Sequence, residues 1–450
     1  MSFFLDFIKD KSRFLGLIFL WLLVGAFGGP LFYALIPISV FLLARNKSYS
    51  ELLLGFFLIL TLSDSRQGMF EFAGKIKDIY LLMLGVFFFL NSKEFVDRDR
   101  IYIRFLTYIG IAAFCLLFSD IILISFQKTI SFVLILIVVP NYFVKSFRDE
   151  GERFLKQFIV LGTIFIIIGF LLRFVSPDFV SLKGRYNGIL GNPNGLGLFC
   201  FMFVIVTGVI NEYFPKLFSK TELAIVIIAC LLSIYLCGSR SSLLAVGIFF
   251  LFRMFYKISP YLGFLMFVLL VYLYYFISAN IDSIVIGLGL QDYFRLDTLN
   301  TGSGRLVAWE FGLKEINKSP IFGNGIGYTD YLYKKNYEYL AMLGNQGNAH
   351  NSYLTFWLDT GIFGLLAYLI ALISSFIKGA ANSRSAIPAM YAILFSAFFE
   401  SWLTASLNPF TIQMLIVLTL LTSPIFNVKE EHEEIEEEKN ETQETPDLIY

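Results

Sequence analysis

Long apolar stretches separated by short polar connections dominate this sequence and restrict the folds open to it. A membrane-spanning helix needs roughly 20 apolar residues, with about 17–25 tolerated, and stretches near that length recur from the N-terminus to residue 426. Of the 450 residues 57% are hydrophobic and 16% are charged, whereas about a quarter of a soluble domain is charged. Lipid is the natural surrounding for this apolar surface, so the sequence predicts an all-α, polytopic membrane helical bundle.

The number of spans is predicted to be 12 to 14, because the first three stretches are short and one or two could be re-entrant. The candidate spans are residues 14–29, 31–44, 50–63, 78–91, 101–118, 120–144, 154–175, 194–210, 222–238, 241–256, 259–278, 352–377, 385–404 and 408–426.

All four cysteines lie in or at the ends of apolar stretches. This placement favours apolar packing over a disulfide framework or a zinc site.

Positive charges are distributed unevenly between the two sets of connections. With the N-terminus inside, the N-terminal segment and the short inside loops hold 19 Lys and Arg residues, and the short outside loops hold 7. Since Lys and Arg are enriched in cytoplasmic loops, both termini are predicted to be cytoplasmic.

The predicted regions are an N-terminal bundle of about 11 spans (1–278), a periplasmic loop (279–351), C-terminal spans (352–426) and an acidic cytoplasmic tail (427–450).

The periplasmic loop contains one segment with the pattern of an amphipathic helix. Residues 305–317 place Leu306, Trp309, Leu313 and Ile316 on one helical face. This pattern predicts a helix that lies on the membrane or over a cavity.

The acidic tail is predicted to be disordered and solvated because of its run of glutamates. His432 lies within it and is not expected to be catalytic. The formal net charge of the chain is zero and there is no basic arm, so a nucleic-acid partner is not expected.

Three arginines of the predicted outer face share a context of small residues. Gly, Ser and Asn let a backbone approach a ligand closely, and the guanidinium fork and a helix N-terminus both suit phosphate. The alternative is that the three are separate cations that reach lipid headgroups. Because all three arginines lie among small residues, a single anion bound by all three is favoured. The three are Arg185 in KGRYNGILGNPNG, Arg240 in CGSRSS and Arg305 in TGSGRLVAWE.

His350 lies in GNAHNSYLTFWLDTGIFG, where the outer loop meets a span. Histidine takes or gives a proton near neutral pH, which predicts a catalytic role beside the arginines. The alternative is a structural histidine satisfied by the backbone. The predicted supporting residues are Asn351 beside it, Asn192 and Asn194 at the helix start in GNPNG, Asp359 deeper in the same span, and Arg66 in an outer loop.

Three further charges, Lys128, Asp359 and Glu400, lie inside apolar stretches. Charge is costly there and marks candidate functional residues. The alternative is that each simply pairs with a neighbouring helix. The sequence has no Walker phosphate loop and no Asp-x-Asp site in the outer loops. ATP, metal ions and other cofactors are therefore not expected.

Two runs, SGRLVAWEFGLKEINKSPIFGNGIG and AHNSYLTFWLDTGIFG, resemble the core of the O-antigen ligase and polymerase superfamily (the Wzy_C-like domain). The family pattern of His-Asn, nine residues, then Gly-x-x-Gly is met by His350, Asn351, Gly361 and Gly364. The segments GNPNGLG and GSRSS are also similar to recurring segments of the family. The resemblance covers roughly residues 180–425.

The resemblance implies a metal-independent membrane glycosyltransferase of the bacterial inner membrane, with a GT-C-like fold and an active site facing the periplasm. Such proteins move a glycan from undecaprenyl diphosphate to an acceptor hydroxyl. Arg185, Arg240 and Arg305 then hold the diphosphate, and Arg305 and His350 act in catalysis. The implied partners are the lipid-linked glycan, membrane lipids, and as acceptor either lipid A core, for a ligase, or a lipid-linked repeat unit, for an O-antigen or capsule polymerase. The spacing leans towards the ligase.

A non-catalytic transporter of lipid-linked glycan or polysaccharide is the alternative from another functional class. It requires broken helices at mid-membrane and paired charges along a path. The informative cations here crowd the outer face instead, which favours the enzyme.

Overall fold

Helices form nearly all the regular structure in the computed structural model, which describes residues 2–96, 98–279, 286–287, 289, 304–345, 347–404 and 407–426. The α-helices are α1 (Ser2–Asp10), α2 (Ser12–Phe27), α3 (Phe32–Arg45), α4 (Tyr49–Ser63), α5 (Glu71–Leu90), α6 (Leu106–Cys115), α7 (Ile122–Glu150), α8 (Glu152–Val175), α9 (Pro193–Tyr213), α10 (Lys220–Cys237), α11 (Arg240–Ile258), α12 (Pro260–Ala279), α13 (Arg305–Ile316), α14 (Tyr328–Lys335), α15 (Tyr337–Met342), α16 (Ser352–Ala380), α17 (Ala386–Phe399) and α18 (Pro409–Thr422). The strands β1 (Ser181–Leu182) and β2 (Arg185–Tyr186) pair antiparallel. Short 3-10 helices are Gly29–Leu31, Gly68–Phe70, Ser92–Glu94, Ile101–Phe105, Leu116–Phe118, Pro177–Val180 and Pro424–Phe426.

Seven helices in the described part of the chain are long and apolar enough to cross a membrane, and six shorter apolar helices accompany them. The predicted all-α, multi-pass membrane fold is therefore confirmed. The count of 12 to 14 spans and the cytoplasmic termini stay predictions, and the acidic tail lies outside the described residues. The seven are 101–118, which includes α6, and α7, α8, α9, α10, α11 and α16.

Two helices, α9 and α18, lie at the centre of the bundle. Every residue of α9 from Gly195 to Ile210 is buried, and so is every residue of α18. A helix that is apolar on all sides belongs in such a position. Each begins with Asn-Pro: the Asn192 side chain accepts a hydrogen bond from the Gly195 N–H, as predicted, and that of Asn408 accepts from the first turn of α18. These N-caps fix the residues at which the two central helices begin.

Helix α13 forms where the sequence predicts it. Leu306 and Leu313 are 54% and 50% exposed, whereas Ala308, Gly312 and Ile316 are buried. A Cβ on Gly312 would lie 2.6 Å from the Leu354 side chain of α16 and 2.9 Å from the Tyr333 hydroxyl of α14. The small residue thus lets the helix pack closely against its neighbours. That its leucines lie on the membrane or over a cavity stays a prediction.

Helix α16 is interrupted at Gly361, whose φ of +72° and ψ of −179° are not helical. The chain segment 320–329 fills this interruption. The Asn324 and Gly325 N–H groups donate to the carbonyls of Leu358 and Asp359, and the Ile362 N–H donates to the Pro320 carbonyl. Backbone groups freed by the break thus bond to segment 320–329, which satisfies them where no water is available.

The Asp359 carboxylate completes this junction. One oxygen accepts from the Gly327 N–H at 2.8 Å, and the other accepts from the Thr329 N–H at 2.8 Å and its hydroxyl at 2.7 Å. Asp359 therefore holds segment 320–329 against α16. Its predicted supporting role at the arginine site stays a prediction.

Replacing Gly361 by alanine is expected to destabilise the protein. The positive φ strains any residue with a Cβ by about 1–3 kcal/mol, and that Cβ would lie 2.1 Å from the Ile321 carbonyl oxygen. The measurement is the melting temperature of the purified protein in detergent. Gly110→Ala is the matched control, because a Cβ at this position of α6 meets nothing within 4 Å. Equal melting temperatures for the two variants would contradict the role given to Gly361.

Candidate active site

A single carboxylate, Glu400, lies at the centre of a polar cluster where α9 begins. It follows the last residue of α17 in extended conformation, and its side chain is 16% exposed. Its Oε1 accepts hydrogen bonds from Arg305 Nη2 and Asn194 Nδ2, each at 2.9 Å. Its Oε2 lies 3.2 Å from His350 Nδ1. One side chain thus connects residues from three distant parts of the chain.

Glu400 is the acidic partner of two basic side chains. It forms an ion pair with Arg305 at 2.9 Å, and its other oxygen lies 3.2 Å from His350 Nδ1. The cluster therefore places one carboxylate between a guanidinium and an imidazole.

His350 is held in an unusual backbone conformation that directs its ring at Glu400. Its φ is +48°, which histidine adopts more readily than most residues, and its N–H donates to the Asn348 side chain at 3.0 Å. The contact with Glu400 assigns a proton to Nδ1. In the neutral tautomer with this proton, the lone pair lies on Nε2. The arrangement suits a general base oriented by a carboxylate.

Two sets of contacts fix His350 relative to its neighbours. The Trp309 indole of α13 donates to the carbonyl of Ala349 at 3.0 Å. On the other side, the Asn351 N–H donates to the Ser401 hydroxyl at 2.9 Å, and the Ser352 hydroxyl donates to the Glu400 carbonyl at 2.7 Å. His350 and Glu400 are therefore positioned by the same backbone segments.

Arg305 is the first residue of α13 and follows Gly304, a position where a side chain would not fit. Gly304 has a φ of +74°, and a Cβ there would lie 2.3 Å from the Gly344 carbonyl oxygen. The guanidinium of Arg305 pairs with Glu400 and lies 5.8 Å from the centre of the Phe399 ring. A guanidinium has five N–H donors, so this pairing leaves capacity for a ligand.

Arg185 joins the cluster through Asn194. Its Nη2 donates to the Asn194 side-chain oxygen at 3.1 Å, and the same amide donates to Glu400. Arg185 also donates to the carbonyls of Cys237 and Gly238 at the end of α10. Arg240 begins α11 two residues after Gly238. The turn between α10 and α11 thus binds Arg185 and leads directly into Arg240.

The structure brings together most of the residues that the sequence selected. Arg185, Arg305, His350 and Asn194 share one connected network. Asn192 and Asn351 cap α9 and α16. Arg66 is exposed beside Gly191, at the turn before α9. The catalytic and substrate-binding roles of all these residues stay predictions.

Glu400 is the central residue of the cluster, but the sequence marks it only as a charge in an apolar stretch. The signal that points to it is the free-energy cost of placing a charge there. The other such charges are accounted for differently: Lys128 pairs with Asp330 at 2.5 Å, and Asp359 binds backbone N–H groups.

An apolar cavity of about 420 Å³ is lined by Phe399. The Phe399 ring also contacts the Arg305 guanidinium, whose carbon lies 5.8 Å from the ring centre. The hydroxyl of Tyr353, another wall residue, donates to the Leu394 carbonyl at 2.7 Å. The wall is therefore apolar, and Phe399 links it to the polar cluster. Its side chains come from α11, α12, α16 and α17.

The cysteines and potential metal ligands show no further site in the described residues. All four cysteines are buried, which agrees with the predicted apolar packing. Within the described ranges no group of three or more His, Cys, Asp or Glu side chains is placed to hold a metal ion.

Residues 225–369 match the model of the O-antigen ligase family (Wzy_C). The matched stretch contains Arg240, Arg305 and His350. An uncharacterized protein of Haemophilus influenzae is similar to this chain, with 32% identity over 89 residues. That similarity covers 19% of this chain and 22% of the relative, so it spans about a fifth of the relative's length.

Proposed function

We propose, from the premise that this multi-pass membrane protein carries a domain of the O-antigen ligase superfamily, that it transfers a glycan from undecaprenyl diphosphate to an acceptor hydroxyl. The observation that carries the proposal is the single network of Arg185, Asn194, Glu400, Arg305 and His350. It combines fixed cations with an oriented base. These are the groups that a transfer from a diphosphate requires.

The proposed reaction is a displacement at the anomeric carbon of the glycan. The acceptor oxygen forms a bond to C1 while the bond between C1 and the phosphate oxygen breaks. The electron pair of that bond goes to the diphosphate, and the acceptor proton goes to His350 Nε2. Negative charge increases on the leaving diphosphate, so fixed arginines stabilise the transition state more than the ground state.

Glu400 has two effects in this scheme. Its hydrogen bond keeps the His350 proton on Nδ1 and stabilises the imidazolium that forms when Nε2 accepts a proton. Its contact with Arg305 fixes the guanidinium before the donor arrives. The site is therefore organised in advance of binding, which lowers the reorganisation required during the reaction.

The apolar cavity gives the lipid part of the donor a place beside the cations. A lipid-linked diphosphate is an anion attached to a hydrocarbon chain. Arg305 and Phe399 lie where the polar cluster meets the cavity wall. A donor with its diphosphate at Arg305 would thus have its chain at the cavity.

We place the active site on the periplasmic face of the bacterial inner membrane, on the evidence of the positive-charge distribution. Lipid A core is the proposed acceptor. A lipid-linked repeat unit, as used by a polymerase, is the second candidate. The interruption of α16 does not favour a transporter, because segment 320–329 fills it.

Deletion of the gene, followed by gel analysis of surface glycans, tests the function. We expect loss of glycan from lipid A together with accumulation of lipid-linked polymer, both reversed by a wild-type copy. Glycans of a single repeat would indicate a polymerase instead. Lipid-linked repeats trapped in the inner leaflet would contradict the enzyme and indicate a transporter.

A further inference from the structure

Asn345 holds together the two backbone segments that carry Arg305 and His350. Its side-chain Nδ2 donates to the Gly304 carbonyl at 3.1 Å and to the Asn348 carbonyl at 3.3 Å. Gly304 directly precedes Arg305, and Asn348 lies two residues before His350. A group carried by this part of the chain therefore lies at the edge of the polar cluster.

The Tyr337 ring rests on this part of the chain at Gly347. A Cβ on Gly347 would lie 2.7 Å from the ring, and the φ of +77° at this position also favours glycine. The Tyr337 side chain nevertheless belongs to a residue that is 52% exposed. One edge of the ring is therefore fixed against the backbone while the remainder is open to a ligand.

The residues around Tyr337 in the chain are polar, which is typical of a surface in contact with water. Lys334 and Glu338 are both exposed. Tyr339, two residues further along α15, points about 200° away around the helix. It shares its side of the helix with Met342, which is 85% exposed. The two exposed tyrosines therefore lie in different surroundings, and Tyr337 lies on the polar side.

Asn348 adds a hydrogen-bonding group beside this ring. It directly follows Gly347 and is exposed. Its Oδ1 accepts from the His350 N–H at 3.0 Å and from the Ser401 hydroxyl at 3.4 Å. These contacts use the oxygen, and among the described residues no acceptor contacts Nδ2, which can donate two hydrogen bonds. An aromatic ring and an amide donor thus flank the same glycine.

We propose that Tyr337 and Asn348 form the subsite that holds the sugar ring of the acceptor. The inference rests on the proposed function and names acceptor contacts within it. A sugar ring has an apolar face of C–H groups and an edge of hydroxyls. The face of an aromatic ring suits the first, and the Asn348 amide suits the second.

The position of the subsite favours the acceptor over the donor. Lipid A core and a lipid-linked repeat unit both present a sugar hydroxyl. In the proposed reaction this hydroxyl comes within hydrogen-bonding reach of His350 Nε2. The ring that carries it must therefore lie near His350, and Asn348 bonds to the backbone of that residue.

The test measures transfer by the purified full-length protein, with lipid-linked polymer and lipid A core extracted from the deletion strain as donor and acceptor. Tyr337→Ala is expected to raise KM for lipid A core by about tenfold, because the stacking surface is lost. We expect kcat and KM for the donor to change by less than about twofold, since the diphosphate contacts remain. If deletion indicates a polymerase, the lipid-linked repeat unit serves as acceptor in the same assay.

Two further variants show whether the ring itself matters. Tyr337→Phe keeps the ring and should behave as the wild type does. Tyr339→Ala is the matched control, because this tyrosine of α15 is 57% exposed on the other side of the helix. An unchanged acceptor KM in Tyr337→Ala would overturn the proposal. A raised donor KM with an unchanged acceptor KM would do so as well, since it would place a donor sugar on the ring.

Asn348→Asp tests the amide separately. It keeps an oxygen for the His350 N–H and removes the Nδ2 donor. We expect the acceptor KM to rise by about tenfold, as for the loss of a hydrogen bond. A fall in kcat alone would show that Asn348 only positions His350, and would remove it from the subsite. This variant also carries the test should Tyr337→Ala not fold.

Undecaprenyl diphosphate, which carries no sugar, separates this proposal from the proposed function. It should bind the wild type and Tyr337→Ala equally, which also shows that the variant is folded. If the wild type neither binds undecaprenyl diphosphate nor transfers glycan, the proposed function is wrong. If the wild type transfers glycan and the acceptor KM is the same in Tyr337→Ala and Asn348→Asp, only the acceptor subsite is overturned.

Discussion

Replacement of His350 by alanine is expected to lower glycan transfer by about 10²–10⁴-fold, the usual contribution of a positioned general base. The ring is held by Glu400 at Nδ1, so Nε2 is the nitrogen that accepts the acceptor's proton. Binding of the lipid-linked donor should be retained, because the arginines remain. The measurement is turnover and donor affinity of the purified variant.

His350→Gln separates proton transfer from orientation. A glutamine amide can hydrogen-bond the acceptor but cannot take its proton. Substantial recovery would show that His350 mainly orients the hydroxyl, and little recovery would support proton transfer. Transfer near the wild-type rate by purified His350→Ala would mean that the histidine is structural and that the assignment is wrong.

Arg305→Ala is expected to reduce transfer by roughly tenfold to more than a hundredfold, since a hydrogen bond to a charged group contributes about 1.5–3 kcal/mol. Removing the guanidinium is expected to have two effects. The diphosphate loses a cation, and Glu400 loses one of its two charged partners. Arg305→Lys should recover only part of the activity, because lysine lacks the planar fork. Lys314→Ala is the control on the same helix: its side chain is 70% exposed and pairs only with Glu310 in the described structure.

A double-mutant cycle tests whether Arg305 and Glu400 act as one unit. Neighbours in one network show interaction energies of about 0.5–3 kcal/mol. We therefore expect the loss in Arg305→Ala combined with Glu400→Gln to be smaller than the product of the separate losses. Strictly multiplicative losses, with all variants at normal protein levels, would show that the contact has no catalytic importance.

Features that depend on neighbouring residues were predictable from the sequence. The cap of α9 by Asn192 follows from Asn-Pro at a helix start, and the apolar stretches identify the membrane helices. The arginine and histidine motifs were recognisable because each sits in its own local pattern. In contrast, Glu400 lies 50 residues from His350 and 95 from Arg305. No local pattern specifies such a pairing.

Tertiary packing decides features that no local pattern specifies. Gly312 of α13 lies so close to Leu354 of α16 that a Cβ would not fit, and the leucine pattern of the helix does not indicate this contact. The Asp359 carboxylate binds the N–H groups of Gly327 and Thr329, which lie 32 and 30 residues away in the chain. A hydrophobic pattern carries no information on either arrangement.

The connection between α17 and α18 supplies Glu400, and this has a consequence for the order of biosynthesis. The ribosome delivers Arg305 and His350 to the membrane well before it delivers the carboxylate that joins them. A nascent chain that has not inserted α17 therefore has its cations and its histidine without the charge that fixes them. If the proposed function is right, the site is complete only after α17 has been inserted, and an incomplete chain is expected not to consume lipid carrier.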